Sequence, residues 1–430
     1  MNLSLHHPRE QLVRILQRIY DFGMTTTSGG NLSIRDEEGN IWITPSAVDK
    51  GSLLPSDIVR IGPDGKPEGI HPPSSEYPFH QAIYACRPDI NAIIHAHPPA
   101  LVSFSIVRKV PVTNIIPQAK HICGEVGYAS YELPGSDALG KKIAERFRED
   151  FDVVLMENHG TVVGGSNLSL AFQKFETLEF CARTLIEAAS IGKVRPLDDA
   201  QIDLFYQRKR DLPEFVHVSP HSRELWLRGE ICSIVKRAYR QRLIISTYGT
   251  FSVRLSENDF LITPYGMDRY YLDREDIVLV SEGKRERGKV PSRSSLLHHR
   301  IYREHPGINC IITAQSPFAT AYCVASATLD TRTIPESYIL LREIPVIPYG
   351  DQFTGGDKIS ALISKDVPIL LIENDSILIT GSSLMETFDR LEVAEFSARS
   401  LTQSHVLGKM VPIEAQEIDD LKKKFLSEQK

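Results

Sequence analysis

The stretch NAIIHAHPPA, residues 91–100, places His95 and His97 two apart in an apolar, β-branched run. Side chains at i and i+2 of a strand leave the same face. The two imidazoles are therefore expected side by side, a spacing that suits two ligands of one divalent ion. Zn2+ takes imidazole nitrogen, and a catalytic site combines three protein ligands with an open position. His159, in MENHGTVV between a strand-like run and a glycine, is the best candidate for the third ligand. For the HAH pair taken alone, two partly buried histidines at a strand end is the plainer alternative. Upstream, HPPSSEYPFH sets Ser74, Ser75 and Glu76 ahead of a helical run. Either the serines cap that helix with Glu76 in its first turn, or helix amides and two hydroxyls hold a phosphate while Glu76 moves protons beside a metal. His71 and His80 share this stretch without a metal partner in view, which favours structural or surface roles. TSGGNLSIR, residues 27–35, brings Gly30 and Asn31 into a small, glycine-rich turn whose amides can form an anion nest. It lacks the Lys-Ser/Thr of a P-loop, which argues against a nucleoside triphosphate.

The positioning elements are legible around these residues. Residues 8–22 carry apolar positions at helical spacing, NLSIR and IWITP are short strands across the turn DEEGN, and INAIIHAH is a buried strand stopped by Pro98-Pro99. EYPFHQAIYACR reads as a helix, and SDALGKKIAERFRED as another with Ser136 or Asp137 as its N-cap. DVVLMENHGTVVGG is strand, turn and strand, followed by a long helix from residue 169 closed by Gly192. Interspersed strands and helices imply an α/β domain, a central sheet covered on both faces in a three-layer α/β/α arrangement.

The chain says this twice. IWITPSAVDKGSLLPSDIVRI (41–61) and FLITPYGMDRYYLDREDIVLV (260–280) share eight of 21 positions at an offset of 219. Segments 11–35, 80–100 and 153–185 find counterparts at nearly the same offset. Two domains of one fold are expected, 1–212 and 213–430, joined through the polar, proline-bearing segment 208–224. A net charge of −6 gives no sign of nucleic-acid or membrane-surface binding. Six scattered cysteines without a CxxC fit free thiols in a reducing compartment. The N-terminal stretch has no signal-peptide core and no run of about 18 apolar residues occurs, so a cytoplasmic protein is expected.

Taken together, Gly30-Asn31 in GGNLS, Thr44-Pro45-Ser46 in ITPSA, Ser74-Ser75-Glu76, His95-x-His97 and His159 in NHG resemble the class II aldolase/adducin family in order and spacing, over about 200 residues. The resemblance implies a class II aldolase-like fold duplicated in tandem. It implies one Zn2+ (or another divalent ion) per chain on His95, His97 and His159. Glu76 would be the catalytic acid/base, and Gly30, Asn31, Ser46, Ser74 and Ser75 would line a substrate phosphate pocket. The activity implied is that of an aldolase, a lyase acting on a small hydroxy-carbonyl sugar or sugar phosphate through an enediolate. Epimerase, decarboxylase and dehydratase chemistry of the same family, and an adducin-like interaction protein without catalysis, are the alternatives. Ala47 departs from the family's usual glycine, where an added methyl would narrow the phosphate pocket. Tyr128 and Tyr131 are candidates for a catalytic tyrosine.

In the second copy, Thr313, Gln315 and Asp375 face His95, His97 and His159; Ser294 faces Glu76, Thr250 faces Asn31 and Tyr265 faces Ser46. That copy is expected to carry no catalytic metal. The family builds rings of four subunits, so by resemblance two tandem chains would form one four-domain ring, a homo-oligomer with active and degenerate domains alternating. Small molecules are the partners this implies.

Overall fold

A computed structural model describes residues 3–207 and 212–426. The chain divides into two compact units, one of residues up to Thr113 together with Gln118–Arg183, the other of Asn114–Pro117 with Thr184 onward. The first unit is built on an eight-stranded sheet of β1 (Asn31–Arg35), β2 (Ile41–Ile43), β3 (Val59–Ile61), β4 (Pro67–Glu68), β5 (Ala92–Ala96), β6 (Gly127–Ala129), β7 (Val153–Met156) and β8 (Thr161–Gly165). Its spatial order is β4-β3-β2-β1-β5-β8-β7-β6. Neighbours are antiparallel except β6 and β7, which run parallel. Strands β5, β7 and β8 are buried along their whole length. That is why they read as unbroken apolar runs rather than as alternating ones.

Helices Tyr77–Cys86 and Asp137–Arg148 lie on one face of this sheet. Phe79, Ile83, Leu139, Ile143 and Phe147 close there over Ile93, Val154 and Val162. Each buried phenylalanine contributes about 1.5–3 kcal/mol relative to an exposed one. Ser136 caps the second of these helices, its Oγ accepting the Leu139 amide at 3.2 Å. Helix Pro8–Asp21 buries Leu12, Ile15, Leu16 and Ile19. Its Arg18 guanidinium lies 4.4 Å from the Phe172 ring of the long helix Leu168–Ile191.

The second unit repeats the plan. Its strands are β9 (Glu214–Phe215), β10 (Thr250–Arg254), β11 (Asp259–Ile262), β12 (Val278–Ser281), β13 (Lys284–Glu286), β14 (Cys310–Ala314), β15 (Val346–Ile347), β16 (Ile369–Ile372) and β17 (Ser376–Gly381). They form a nine-stranded sheet in the order β15-β16-β17-β14-β10-β11-β12-β13-β9. The registers coincide. β1 sets Asn31 opposite His95 and Ser33 opposite Ile93; β10 sets Thr250 opposite Thr313 and Ser252 opposite Ile311. Both copies also cap the same helix alike. The Glu179 carboxylate accepts the Ala100 and Leu101 amides at 3.1 Å, and Glu395 accepts those of Phe318 and Ala319 at 3.0 and 2.9 Å. Within the segment expected to link the copies, residues 208–211 lie outside the described residues. Glu214–Phe215 joins the second sheet as an edge strand parallel to β13, and a helix begins at Ser222.

Two turn positions show how the copies diverged. In the ITPS turn, Ala47 holds φ +56° while its counterpart Gly266 holds +68°. After the helices Pro117–Cys123 and Pro335–Leu341, Gly124 holds φ +63° and Arg342 holds +59°. The fold thus demands a positive φ at both places, and each copy fills one of them with a side chain that resists it. Ala47 is exposed. Ala47→Gly and Arg342→Gly are each expected to raise stability by about 1 kcal/mol, read as a higher urea midpoint at unchanged slope. A lower midpoint for both would contradict the strain.

Candidate active site

β5 ends at Ala96, and the chain continues through His97 into Pro98-Pro99. The hairpin between β7 and β8 delivers His159, with the Met156 amide bonded to the Gly160 carbonyl at 2.8 Å. Asn158 takes the left-handed conformation that the turn needs, at φ +54°. The three imidazoles converge. Ring centroids lie 4.8 Å apart for His95 and His97, 4.9 Å for His95 and His159, and 5.0 Å for His97 and His159. One ligand atom from each falls within 4.8 Å of the other two. His95 is fully buried, and its Nδ1 donates to the Thr161 carbonyl at 3.0 Å. That bond directs its Nε2 to the centre, 3.1 Å from His97 Nε2 and 3.2 Å from Glu76 Oε2. His159 Nε2 stands 3.7 Å from Glu76 Oε1. Such close approach also constrains the backbone. A Cβ on Gly30, already at φ +74°, would meet the His95 carbonyl at 2.7 Å, and one on Gly160 would meet the His97 ring at 2.6 Å.

The electrostatics suit a cation. Burial, then the neighbouring His95 and His159, push His97 down to about 3; burial and then His95 push His159 down to about 4. Both rings are neutral near pH 7 and offer lone pairs. Burial by itself would raise Glu76, but His95, then His159 and the Asn31 hydrogen bond outweigh it and hold the carboxyl well below its usual range. Glu76 Oε1 is buried without a hydrogen-bond partner. Imidazole nitrogens 3.1 Å apart beside an ionised, incompletely satisfied carboxylate form a donor set that fits a divalent ion.

Of the residues singled out in the sequence, Gly30, Asn31, Glu76, His95, His97 and His159 come together here. Glu76 is itself the first residue of the turn that opens its helix, and its side chain makes no cap. It accepts Asn31 Nδ2 at 2.8 Å instead. Ser74 keeps the local part of the capping reading, its Oγ accepting the Glu76 amide at 3.3 Å. Ser46 and Ser74 lie on adjoining straps: the Ser46 amide donates to Pro72, the Ser74 amide to Thr44, and Thr44 in turn bonds Leu32. Ser74 is buried and Ser75 exposed. His71 stands apart, 3.1 Å from Asp57. Tyr128 is set beside Glu157, which also pairs with Arg108 at 2.8 Å, and Tyr131 is exposed.

Three residues stand behind Asn31: His80, expected in a structural or surface role, and Ser33 and Tyr84, which the sequence had not singled out. His80 is fully buried, with Nε2 2.5 Å from Asn31 Oδ1 and Nδ1 2.7 Å from Ser33 Oγ. Ser33 also bonds the Tyr84 hydroxyl at 2.7 Å. The signal was present: FHQAIY and LHHRIY repeat a His-x-x-x-Tyr helical spacing, and each copy has a serine in the facing strand.

Comparisons with known proteins place the two copies in one family. The family model described as Class II Aldolase and Adducin N-terminal domain matches residues 10–186 and again 229–402. The chain is 33% identical over 204 residues to a 5-deoxy-D-ribulose 1-phosphate aldolase of Bacillus thuringiensis serovar kurstaki, covering 47% of this chain and 94% of that one. It is 35% identical over 172 residues to an L-fuculose phosphate aldolase of Methanocaldococcus jannaschii, covering 40% and 91%. It is 31% identical over 181 residues to a 3-oxo-tetronate 4-phosphate decarboxylase of Escherichia coli, covering 41% and 85%. Among the described residues, no helix is long and apolar enough to cross a membrane. With one match over each copy, the chain belongs to the class II aldolase and adducin family as a tandem duplication, and its first copy keeps the three converging histidines.

Proposed function

We propose that this chain is a zinc-dependent carbon–carbon lyase that cleaves a ketose 1-phosphate to dihydroxyacetone phosphate and an aldehyde. The observation that carries this reading is the convergence of His95, His97 and His159 on one ionised carboxylate, Glu76. The three imidazoles would hold the ion, which when bound supplies a Lewis acid that favours negative charge on the substrate's carbonyl oxygen. Glu76 starts as the base. It takes the proton of the C4 hydroxyl as the C3–C4 bond breaks and the electron pair moves into the C2 carbonyl. The enediolate left behind is protonated at C3 by the same carboxyl, which is thereby restored. Asn31 Nδ2 fixes the carboxylate from the protein side. Gly30, Asn31, Ser46, Ser74 and Ser75 are proposed to seat the phosphate.

The relatives' names support the fragment chosen. Cleavage of a ketose 1-phosphate and decarboxylation of a 3-oxo-tetronate 4-phosphate both leave the enediolate of dihydroxyacetone phosphate. A site built for that enediolate exchanges the carbinol hydrogen of dihydroxyacetone phosphate with solvent, whichever group departs in the full reaction. The expected result is therefore about one zinc per purified chain and deuterium incorporation into dihydroxyacetone phosphate in D2O by proton NMR. A screen of ketose 1-phosphates then identifies the substrate. Metal-loaded protein that neither exchanges this hydrogen nor cleaves any ketose 1-phosphate would refute the reading. The paired, four-domain ring belongs to the same proposal, and a monomeric mass by light scattering at full activity would remove it.

A further inference from the structure

The hydrogen bonds behind Asn31 have one consistent direction. Asn31 Oδ1 can only accept, so His80 Nε2 carries a proton and donates to it at 2.5 Å. The opposite amide orientation would aim Asn31 Oδ1 at the ionised Glu76 Oε2, which Nδ2 now approaches at 2.8 Å. With its proton on Nε2, the neutral His80 ring offers Nδ1 as an acceptor, and Ser33 Oγ, 2.7 Å away, must donate to it. Ser33 then accepts from the Tyr84 hydroxyl at 2.7 Å. Every donor in the series from Tyr84 through Ser33, His80 and Asn31 points toward Glu76. The series is closed to solvent at Ser33 and His80, both fully buried. A buried network in which each member has its partner holds one geometry, because any rotation leaves an unsatisfied group at a cost of about 1–3 kcal/mol.

The second copy separates the fold's share of this network from the site's. There Tyr302 bonds Ser252 at 2.7 Å and Ser252 bonds His298 Nδ1 at 2.8 Å, as in the first copy. His298 Nε2, however, ends on Thr313 Oγ1 at 3.0 Å, and Thr250 stands where Asn31 would be. The tyrosine, serine and histidine thus pin helix to strand in both copies. Only in the first does the histidine face an amide that reaches a carboxylate.

We propose that His80 is a positioning residue for Glu76. As the Nε2–H tautomer it fixes the Asn31 amide so that Nδ2 anchors Oε2. This rests on the acid/base reading of Glu76.

Two substitutions split the ring's two bonds. Asparagine at position 80 reproduces the Nδ1 side toward Ser33 and falls short of Asn31, whereas glutamine reaches Asn31 from the Nε2 side. Rates of deuterium exchange into dihydroxyacetone phosphate by the zinc-loaded full chain are expected to fall about 10–100-fold in His80→Asn, with KM within about twofold. His80→Gln should recover most of the loss, and His298→Asn should leave the rate unchanged. In a Glu76→Gln background, His80→Asn should add nothing, because it acts through the carboxylate already removed.

A merely structural role predicts equal melting and no rate difference between His80→Asn and His298→Asn, and that result overturns the proposal. So do multiplying losses in the double variant. If Glu76→Gln alone leaves exchange intact, it is the acid/base reading of Glu76 that fails. Should His80→Asn not fold, the long-range proton–nitrogen spectrum of metal-free wild-type protein with ring-labelled histidine decides without any variant. A single Nε2–H tautomer at His80 is expected, and an Nδ1–H or doubly protonated ring overturns the inference.

Discussion

His97→Ala is expected to release the metal while leaving the fold intact. His97 sits at the end of β5, and the polar contact of its Nε2 is to His95 within the site itself. Removing it therefore strands no group in the core. His95 would be a poorer probe. It is fully buried, and its loss leaves the Thr161 carbonyl without its 3.0 Å donor, adding about 1–3 kcal/mol of instability unrelated to metal. Outer-shell substitutions at metal sites cost about 10–100-fold in affinity, and loss of a ligand should exceed that. Wild-type protein in zinc at 100 times its Kd should gain about 2.7 kcal/mol of stability from binding. His97→Ala should gain less than about 0.4 kcal/mol at the same concentration, and its metal-free melting curve should overlay that of the metal-free wild type. Both are read by calorimetry with zinc and after chelation. Stoichiometric zinc retained by the folded variant would remove His97 from the ligand set.

The histidines and the carboxylate were legible because chemistry there depends on residue type at fixed spacing. HAH in a strand must present two rings on one face, and the family's order of motifs supplies the third. The α/β class was equally legible, since the buried strands β5, β7 and β8 and the helices between them carry distinct periodicities. The β9 edge strand was not. Glu214–Phe215 lies in a polar, proline-bearing stretch and is a strand only through tertiary pairing with β13. The backbone demand at Ala47 was not legible for a related reason. A positive φ leaves no trace in composition, and only the Gly266 counterpart at +68° reveals what the turn demands.

His80 was expected in a structural or surface role because no metal partner was in view. Half of that is right, since His298 keeps the same serine and tyrosine partners in a copy without the histidine triad. What a single position cannot show is that Asn31, far away in sequence, turns the same packing residue toward Glu76. The duplication makes the distinction visible. Strand register, helix capping by Glu179 and Glu395, and the buried serine–histidine–tyrosine cluster persist in both copies and belong to the fold. His95, His97, His159, Glu76 and Asn31 are among the positions where the copies differ, and they stand together in space.

Glu76→Gln tests that separation with the least structural disturbance. The amide keeps the shape of the carboxylate, and its oxygen can still accept from Asn31 Nδ2, so the network behind Asn31 stays satisfied. A charge that its surroundings favour despite burial is removed in exchange, and by linkage a depressed carboxyl contributes stability at neutral pH that the amide lacks. A modest loss of stability is therefore expected, and a cooperative melt with retained zinc uptake distinguishes this variant from a damaged fold. Glutamine cannot take a proton from a hydroxyl or return one to carbon. Loss of such a group typically costs about 10^2–10^4-fold, and that drop is expected in kcat for cleavage and in the deuterium exchange rate alike, with KM little changed. Zinc content should remain near wild type, because the three imidazoles are untouched. Rates within about tenfold of wild type in a zinc-loaded Glu76→Gln protein would show that another group moves the proton. Equal losses of zinc and activity would instead make Glu76 part of the metal's hold rather than its chemistry.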